Sequence, residues 1–252
     1  MGIEIHGHCE PKVAAVKDVL AASIEAGEDI GASFAAYVEG EAVVDIWGGY
    51  VDEAKTQPWV EDTIVNVYST TKTMTFLCAM VLAERGKLDF DANVADYWPE
   101  FAQNGKENVK VWHLLDHAAG LSGTDEKLVG EDTYDWYKVV SALEKQAPWW
   151  EPGTATGYHA LTQGYLIGEV VRRITGQTIG QFFAQEIAGP LNADFFIGVP
   201  ESEFGRIGYL FPPTEDTART GDGDPESIAV RTFRYPAASA MQSREDGWRK
   251  AE

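Results

Sequence analysis

Ser69 and Lys72 are the two residues of this sequence whose types and spacing could carry out covalent chemistry. On a helix, residues three apart share a face, so the lysine amine would lie one turn from the serine hydroxyl. A serine hydroxyl becomes an effective nucleophile when a neighbouring group removes its proton. A lysine amine can remove it if burial or nearby positive charge keeps that amine neutral. A helix cap followed by a solvated lysine has the same pattern, so the pair alone is a weak signal.

The segment that follows Lys72 strengthens the catalytic interpretation. Residues 74–82 are apolar on nearly every side of a helix, which predicts a buried helix and not a superficial one. Burying a serine and a lysine at the start of such a helix is costly unless both have partners. The start of a helix also offers free backbone N–H groups and a positive dipole end, which suit a developing oxyanion.

A second candidate lies in residues 153–160, where two glycines flank a threonine-rich stretch ahead of a predicted helix. Tyr158 could share a proton with a neighbouring amine or with a leaving group. Alternatively, its ring packs and its hydroxyl bonds to the backbone. His159 is assigned to substrate contact because it neighbours Tyr158, with packing as the alternative. Trp149 and Trp150 either wall an acyl pocket or anchor a surface loop.

The order of the predicted elements indicates an α/β fold of the α+β type. Strand-like runs at 32–38 and 42–47 predict a hairpin, and 194–199 predicts a further strand. Apolar periodicity and glycine or proline boundaries predict helices at 11–26, 109–118, 134–145, 161–174 and 178–187. Residues 212–226 have the composition of a loop.

These elements predict one domain, 1–252, with two lobes. An antiparallel sheet flanked by helices is expected from residues 1–64 and 193–252, beside a mainly helical lobe at 65–192.

The net charge and the cysteine content limit which partners and which cellular location are expected. A net charge of −20, from 40 acidic and 20 basic residues, argues against nucleic acid and anionic membranes as partners. No apolar run is long enough to span a bilayer, and the N-terminus lacks the basic and apolar regions of a signal peptide. Cys9 and Cys78 are the only cysteines and predict no disulfide framework. These features predict a cytoplasmic protein.

No metal or cofactor is predicted. His113 and His117 are four apart on a helix, but the glutamate and the third ligand of a zinc site are missing, so structural roles are expected. Residues 6–9, two histidines and a cysteine around a glycine, predict a mobile N-terminus more than a metal site. Residues 222–224 are too short for a calcium loop. Neither a glycine-rich phosphate loop nor a Gly-x-Ser-x-Gly elbow occurs.

Three segments together carry a resemblance to a known family. Residues 68–72 (Tyr-Ser-Thr-Thr-Lys), 113–121 (His-Leu-Leu-Asp-His-Ala-Ala-Gly-Leu) and 151–160 (Glu-Pro-Gly, then Gly-Tyr-His-Ala) have the order and spacing found in serine β-lactamase-related esterases. These carboxylesterases resemble class C β-lactamases and D-Ala-D-Ala carboxypeptidases, and the fold is of the penicillin-binding-protein type. Ser-x-x-Lys chemistry is a signature of penicillin-recognising enzymes. The resemblance runs from about residue 11 to the end of the chain.

The resemblance implies a cofactor-free serine hydrolase that cleaves short-chain carboxylic esters through an acyl-enzyme. By position, Ser69 would attack the ester carbonyl and Lys72 would help remove its proton. Tyr158 would pass the proton to the alcohol and later activate water, and the Ser69 N–H would be one oxyanion donor. The alternatives are β-lactamase or D-Ala-D-Ala carboxypeptidase activity, acyl transfer to another alcohol, and a non-catalytic truncated relative.

Two departures from the family pattern qualify these expectations. Ala160 stands where the β-lactamases usually carry an asparagine, which favours esters over lactams. The later His- or Lys-x-Gly motif is not found after Tyr158, so the resemblance implies a C-terminally shortened fold that lacks strands of the sheet. A hairpin at 32–47 without neighbours leaves open edges. We therefore expect a protein of these residues to be poorly active, partly unfolded, or a homo-oligomer joined through the sheet edge.

Overall fold

Three β-strands form an antiparallel sheet in the computed structural model, which describes residues 2–211 and 224–237. The strands are β1 (Ile5–Cys9), β2 (Gly31–Val38) and β3 (Glu41–Gly49), and their order in the sheet is β1-β3-β2. Helix α1 (Ala15–Ala26) connects β1 to β2. The predicted hairpin is therefore confirmed, with β3 as the central strand.

The turn of the hairpin explains its register. Val38 pairs with Glu41, so Glu39 and Gly40 form a two-residue loop. Both loop residues have positive φ, 52° and 86°. Two-residue loops of this kind match the right-handed twist of the flanking strands, which favours glycine at one of the two positions.

Strand β1 corrects the prediction of a mobile terminus at residues 6–9. His6 pairs with Trp47 and Cys9 pairs with Val44, so this segment is an edge of the sheet. Gly7 has φ of 86°, and a Cβ atom there would collide with the Asp45 carbonyl. The segment is short and polar, so its order comes from backbone pairing with a distant strand, which no local periodicity reveals.

The chain divides into two compact units. The first comprises Met1–Asn66 and Glu201–Leu210, and the second comprises Val67–Pro200 and Phe211–Glu252. This division differs from the predicted lobes after residue 192, because only Glu201–Leu210 of that region joins the first unit.

The first unit has a small core between α1 and the sheet. Ile24, Val44 and Ile46 are almost fully buried there. The side chains of Phe34 and Tyr37 on β2 remain exposed. Since β2 pairs only with β3 among the described residues, its other edge carries apolar side chains and unpaired backbone groups.

The second unit is mainly helical and has the larger core. Its α-helices are α2 (Thr71–Glu84), α3 (Val94–Tyr97), α4 (Val111–Leu115), α5 (Trp136–Lys145), α6 (Thr162–Thr175), α7 (Ile179–Phe183), α8 (Gly189–Leu191) and α9 (Ile228–Thr232). A π-helical turn, Ala184–Ala188, joins α7 to α8. Short 3₁₀ turns occur in this unit at Tyr68–Thr70, Pro99–Phe101 and Gly130–Tyr134. The first unit has two more, at Pro11–Val13 and Glu201–Arg206.

Helix α2 departs from the prediction of burial on every side. Thr75, Cys78, Ala79 and Leu82 are buried, whereas Phe76, Leu77 and Met80 are exposed by 40%, 36% and 47%. The helix packs mainly on α6 and α7 through one face. The prediction from apolar composition therefore exceeded the observed burial of α2, because the described residues cover only that face.

The strand predicted at 194–199 is absent. This stretch has no ladder partner, and Phe195 and Ile197 pack against the core of the second unit instead. Most of the predicted 212–226 loop and part of the 222–224 turn lie outside the described residues. No described helix combines the length and the hydropathy needed to cross a membrane.

Candidate active site

The start of α2 places Ser69 beside Lys72. Ser69 lies in the 3₁₀ turn Tyr68–Thr70, directly before the helix, and Lys72 is the second residue of α2. The Lys72 Nζ atom lies 3.4 Å from the Ser69 Oγ atom. Tyr68 has φ of 43°, a left-handed conformation that is uncommon for a bulky residue and that recurs at functional sites.

The carbonyl of Ala160 holds Lys72 in place. Nζ donates a hydrogen bond to this oxygen over 2.7 Å, across 88 positions of sequence. The same nitrogen lies 5.0 Å from the centre of the Tyr158 ring. The lysine therefore points at the segment that precedes α6. The contribution of Ala160 was missed because a backbone carbonyl has no sequence signature.

Tyr158 completes a group of three polar side chains. Its hydroxyl donates a hydrogen bond to Ser69 Oγ over 2.5 Å. Burial alone would raise the pKa of Tyr158, but hydrogen bonds to Ser69 and Lys72 and the positive charge of Lys72 hold this pKa below its ordinary value. A phenol with a lowered pKa is a better general base near neutral pH.

His117 fixes the segment that carries Tyr158. Its Nδ1 atom accepts a hydrogen bond from the backbone N–H of His159 over 3.1 Å. Its carbonyl accepts one from the N–H of Gly157 over 3.0 Å, and its ring meets the Tyr158 ring edge-on at 4.9 Å. Burial and the charge of Lys72 lower the pKa of His117, so the imidazole is neutral at pH 7. Sequence reasoning expected a structural role but did not place it beside Tyr158.

His159 is packed and fully buried. Its Nε2 atom accepts a hydrogen bond from the N–H of Leu121, so the ring proton is on Nδ1, which donates to the carbonyl of Gly157 over 2.6 Å. Burial lowers the pKa of His159 to about 4. Both nitrogens are therefore occupied by backbone, and the geometry corrects the assignment of His159 to substrate binding in favour of packing.

Trp149 anchors a loop in this structure. Its Nε1 atom lies 3.3 Å from an oxygen of Asp125, and the guanidinium of Arg231 stacks on its ring at 4.2 Å. Asp125 also accepts a hydrogen bond from Arg231. These contacts favour the loop-anchor alternative for Trp149 over the acyl pocket.

Trp150 packs against the segment that precedes Tyr158. It donates a hydrogen bond to the carbonyl of Ala155 over 2.8 Å. Its ring lies so near Gly157 that a Cβ atom there would be 2.6 Å away. Trp150 therefore supports the loop that leads into Tyr158, and its contact with substrate remains a prediction.

A cavity of about 270 Å³ lies against Lys72. It is lined by Lys72, Thr73, Thr75, Phe76, Leu115, His117 and Gln163. Neither His159 nor either of the two tryptophans lines it. Gln163 had no sequence signal, because an isolated glutamine near a helix start is compatible with many environments.

The described residues contain no group of three or more His, Cys, Asp or Glu side chains that could hold a metal ion. His113 is buried, and its Nδ1 atom accepts a hydrogen bond from the N–H of Lys110. The hydroxyl of Ser69, the amine of Lys72 and the phenol of Tyr158 lie together at the start of α2.

Known proteins resemble this chain in sequence and in fold. The family model for beta-lactamase matches residues 16–246. The esterase/beta-lactamase LipL of Mycobacterium tuberculosis is 36% identical over 222 residues, which cover 86% of this chain and 51% of LipL. Among solved structures, a family VIII carboxylesterase matches with a TM-score of 0.86 and 42% identity, covering 99% of this chain and 66% of that one. EstA from Arthrobacter nitroguajacolicus Rue61a matches with a TM-score of 0.80 and 31% identity, covering 100% of this chain and 66% of EstA.

These matches confirm the predicted β-lactamase/transpeptidase-like fold, in which a small antiparallel sheet is combined with helices. The chain spans about half the length of LipL and just under two thirds of the two esterase structures. Because the family model matches most of its length, this chain belongs to the β-lactamase family.

Proposed function

We propose that this chain carries the nucleophile of a serine carboxylesterase that cleaves short-chain carboxylic esters through an acyl-enzyme on Ser69. The observation that carries the proposal is the position of Ser69 Oγ, which has the Tyr158 hydroxyl 2.5 Å away and Lys72 Nζ 3.4 Å away. A nucleophile with a base in hydrogen-bond reach, and the base oriented by a third group, is the arrangement that covalent catalysis requires.

Acylation begins when Tyr158, as phenolate, takes the proton of the Ser69 hydroxyl while Oγ attacks the ester carbonyl. Lys72 stabilises the phenolate charge from 5.0 Å above the ring, and Ala160 fixes the lysine. When the tetrahedral intermediate collapses, the C–O bond to the alcohol breaks and Tyr158 returns the proton to the leaving oxygen. The product of this step is an ester between the substrate acid and Ser69.

Deacylation repeats the same steps with water in place of the alcohol. Tyr158 takes a proton from water, which attacks the acyl-enzyme, and the proton then returns to Ser69 Oγ. The carboxylic acid leaves and ionises, so each cycle consumes one ester and one water and releases an alcohol, a carboxylate and a proton. The backbone N–H of Ser69 is one candidate donor to the oxyanion of both intermediates.

Esters are the favoured substrates because two relatives are named as a carboxylesterase and an esterase, and because Ala160 offers no side-chain amide. The name of LipL also includes beta-lactamase, so β-lactam hydrolysis is the second candidate. A D-Ala-D-Ala carboxypeptidase activity and a non-catalytic role are the remaining alternatives. We propose no cofactor for any of them.

Substrate turnover separates these candidates. Initial rates with p-nitrophenyl acetate, butyrate and octanoate, and with nitrocefin, are measured for the wild-type chain and for Ser69→Ala. The ester proposal expects Ser69-dependent release of nitrophenol, fastest for the short acyl chains. Nitrocefin turnover that rivals the ester rates would favour the β-lactamase alternative. Equal rates for the wild type and the Ser69→Ala variant would support the non-catalytic alternative.

We further propose one catalytic domain, 1–252, in a cytoplasmic protein that binds neither nucleic acid nor membranes. The strong negative charge supports this exclusion of partners. We also propose that copies of this chain associate through the outer edge of β2, where Phe34, Tyr37 and Val38 are exposed.

Light scattering after size-exclusion chromatography tests the proposed association. Tyr37→Lys places a charge on the β2 edge and should shift the chain toward monomer, because a lysine on an edge strand opposes pairing. Tyr137→Lys is the control, since Tyr137 is as exposed (67% against 66%) but lies on α5. A monomeric wild type, or an equal shift in both variants, would contradict the proposal.

A further inference from the structure

The cavity against Lys72 contains a buried acceptor without a partner. Gln163 is 5% exposed and lines the cavity, and its Oε1 atom has no hydrogen bond within the described residues. Burying an amide oxygen without a partner is costly, and buried polar atoms nearly always have one. The oxygen therefore indicates that a hydrogen-bond donor occupies the cavity.

The orientation of the Gln163 amide is fixed by the end of α4. Its Nε2 atom donates to the carbonyls of Leu114 and Leu115, over 3.3 Å and 2.9 Å. Exchanging the nitrogen and the oxygen would set the amide oxygen against two carbonyl oxygens, so only one orientation satisfies the contacts. Oε1 is therefore left for a donor that this part of the chain does not supply.

Other polar groups that line the cavity already make hydrogen bonds within the protein. Lys72 donates to Ala160, and Thr75 donates to the carbonyl of Thr71 over 3.2 Å. His117 accepts at Nδ1, so its proton is on Nε2, and no hydrogen bond from that nitrogen is seen in the described ranges. Thr73, the remaining polar side chain of the lining, is exposed to solvent. Among the less exposed groups the cavity thus presents one unmatched acceptor, Gln163 Oε1, and one unmatched donor, His117 Nε2–H.

Water satisfies the unmatched acceptor and the unmatched donor of the cavity better than an alkyl group does. A water molecule both donates and accepts, and the cavity has room for several, since each occupies ~30 Å³ in the liquid. The acyl chain of an ester would leave both unmatched groups unsatisfied. The apolar walls, Phe76 and Leu115, bound the cavity without competing for these hydrogen bonds.

We propose that Gln163 Oε1 anchors an ordered water chain in this cavity and that the chain carries protons between Lys72 and solvent. The proton path rests on the proposed esterase function, whereas the water site does not. Ester hydrolysis releases one proton per cycle. The acid product gives its proton to the Tyr158 phenolate. The Lys72 ammonium gives a proton to the anchored water, which gives one of its own to solvent. The Lys72 amine then takes the proton from Tyr158, so the ammonium and the phenolate are both restored. The path avoids the Ser69 and Tyr158 side, which the acid product would cover.

A high-resolution crystal structure of the unsubstituted chain tests the water site without any variant. We expect ordered water at about 2.7–3.2 Å from Gln163 Oε1, with further water leading to Lys72 or His117. A cavity without water, or an Oε1 atom bonded to a protein donor, would overturn the proposal.

Steady-state and burst kinetics with p-nitrophenyl butyrate test the proton path. Gln163→Met keeps the length of the side chain and removes the acceptor. We expect kcat to fall about tenfold, less than the ~10²–10⁴ caused by losing a general acid or base, with a smaller change in the burst rate. Imidazole buffer at fixed pH should restore kcat, because a small buffer can carry the proton that the water no longer carries.

Gln103→Met is the matched control, since the Gln103 side chain bonds only locally to the carbonyl of Glu100. We expect no loss of kcat and no effect of imidazole in this variant. An unchanged kcat in Gln163→Met, or a loss that imidazole does not restore, would overturn the proton path. Ordered water in a chain that hydrolyses no ester would instead refute the proposed function and leave the water site standing.

Discussion

The hydroxyl of Tyr158 lies 2.5 Å from the Oγ atom of Ser69, although 89 positions separate the two residues. This contact depends on two supports. Lys72 is held by the carbonyl of Ala160, and the backbone around Tyr158 is held by His117. The arrangement brings a serine hydroxyl, a phenol and an amine together at the start of α2.

Removing the Tyr158 hydroxyl should abolish most of the activity without unfolding the chain. Tyr158→Phe retains the ring that meets His117 and loses only the proton acceptor. We expect kcat/KM for p-nitrophenyl butyrate to fall about 10²–10⁴-fold. Tyr137→Phe, on the exposed side of α5, is the control and should remain within about twofold of wild type. A Tyr158→Phe variant that is as active as this control would exclude a role for the phenol.

The charge of Lys72 should control the titration of Tyr158. The pKa of Tyr158 is held below its ordinary value partly by Lys72, so Lys72→Met should raise it. Since the phenolate is the base, activity of the wild type should rise with pH through a midpoint below about 10. The measurement is NMR of chains labelled with ¹³C-tyrosine, with Tyr158→Phe to assign the signal. An identical midpoint in the wild type and in Lys72→Met would contradict this electrostatic coupling.

His117 should act as a positioning residue through its backbone conformation and its Nδ1 atom. It has φ of 67°, and asparagine adopts this left-handed region more readily than alanine. His117→Ala should lower kcat/KM by about tenfold or more, because small displacements of a catalytic group are costly. His117→Asn offers a side-chain oxygen as acceptor and should recover part of that loss.

Thermal unfolding of both His117 variants separates positioning from folding. Compared with His117→Ala, we expect His117→Asn to regain more activity than its gain in Tm would explain. Equal activities in the alanine and asparagine variants would indicate that neither the conformation nor the acceptor matters to Tyr158.

Lys106 should contribute to stability through a cage of carbonyl oxygens. Its side chain is fully buried, and Nζ donates to the carbonyls of Gln103, Glu144 and Gln146 over 2.9, 2.8 and 2.6 Å. Lys106→Met removes the donor from three carbonyl acceptors, one in a buried and two in part-buried hydrogen bonds. The free energy of unfolding should therefore fall by about 2–4 kcal/mol in urea titrations. Lys145→Met, at an exposed position, is the control and should change it by less than ~0.5 kcal/mol.

The same lysine predicts the direction of a pH effect. Burial lowers the pKa of Lys106 from 10.5 to about 8 in the folded chain. Between these values the unfolded chain binds more protons, so the contribution of Lys106 to stability rises with pH over that window. The difference in unfolding free energy between wild type and Lys106→Met should therefore grow from pH 8 to about 10.5. A constant or shrinking difference would contradict the assignment.

Short sequence patterns predicted those features whose residues lie close together in the chain. The Ser-x-x-Lys spacing identified Ser69 and Lys72, because the distance between them is set by a single helical turn. The hairpin followed from two strand-like runs separated by the three residues 39–41. Tyr158 was identified by the order of three motifs, since nothing near it in sequence indicates a contact with Ser69.

The remaining contacts are made by the fold and leave no local signal. The carbonyl of Ala160 and the amide of Gln163 reach their positions only when α6 packs beside α2 and α4. His159 was assigned to substrate because it neighbours Tyr158, but its ring is buried and both of its nitrogens are bonded to the backbone. The exposure of Phe76 on α2 shows that apolar composition measures what a helix can bury, whereas burial depends on what lies beside it.

The most direct test of the central claim is intact-protein mass spectrometry before and after treatment with an alkyl fluorophosphonate, with Ser69→Ala as control. The account predicts one covalent adduct on the wild-type chain and none on the variant, because only a serine with an assembled base reacts in this way. A folded wild-type chain that forms no adduct, or an adduct that persists in Ser69→Ala, would contradict it.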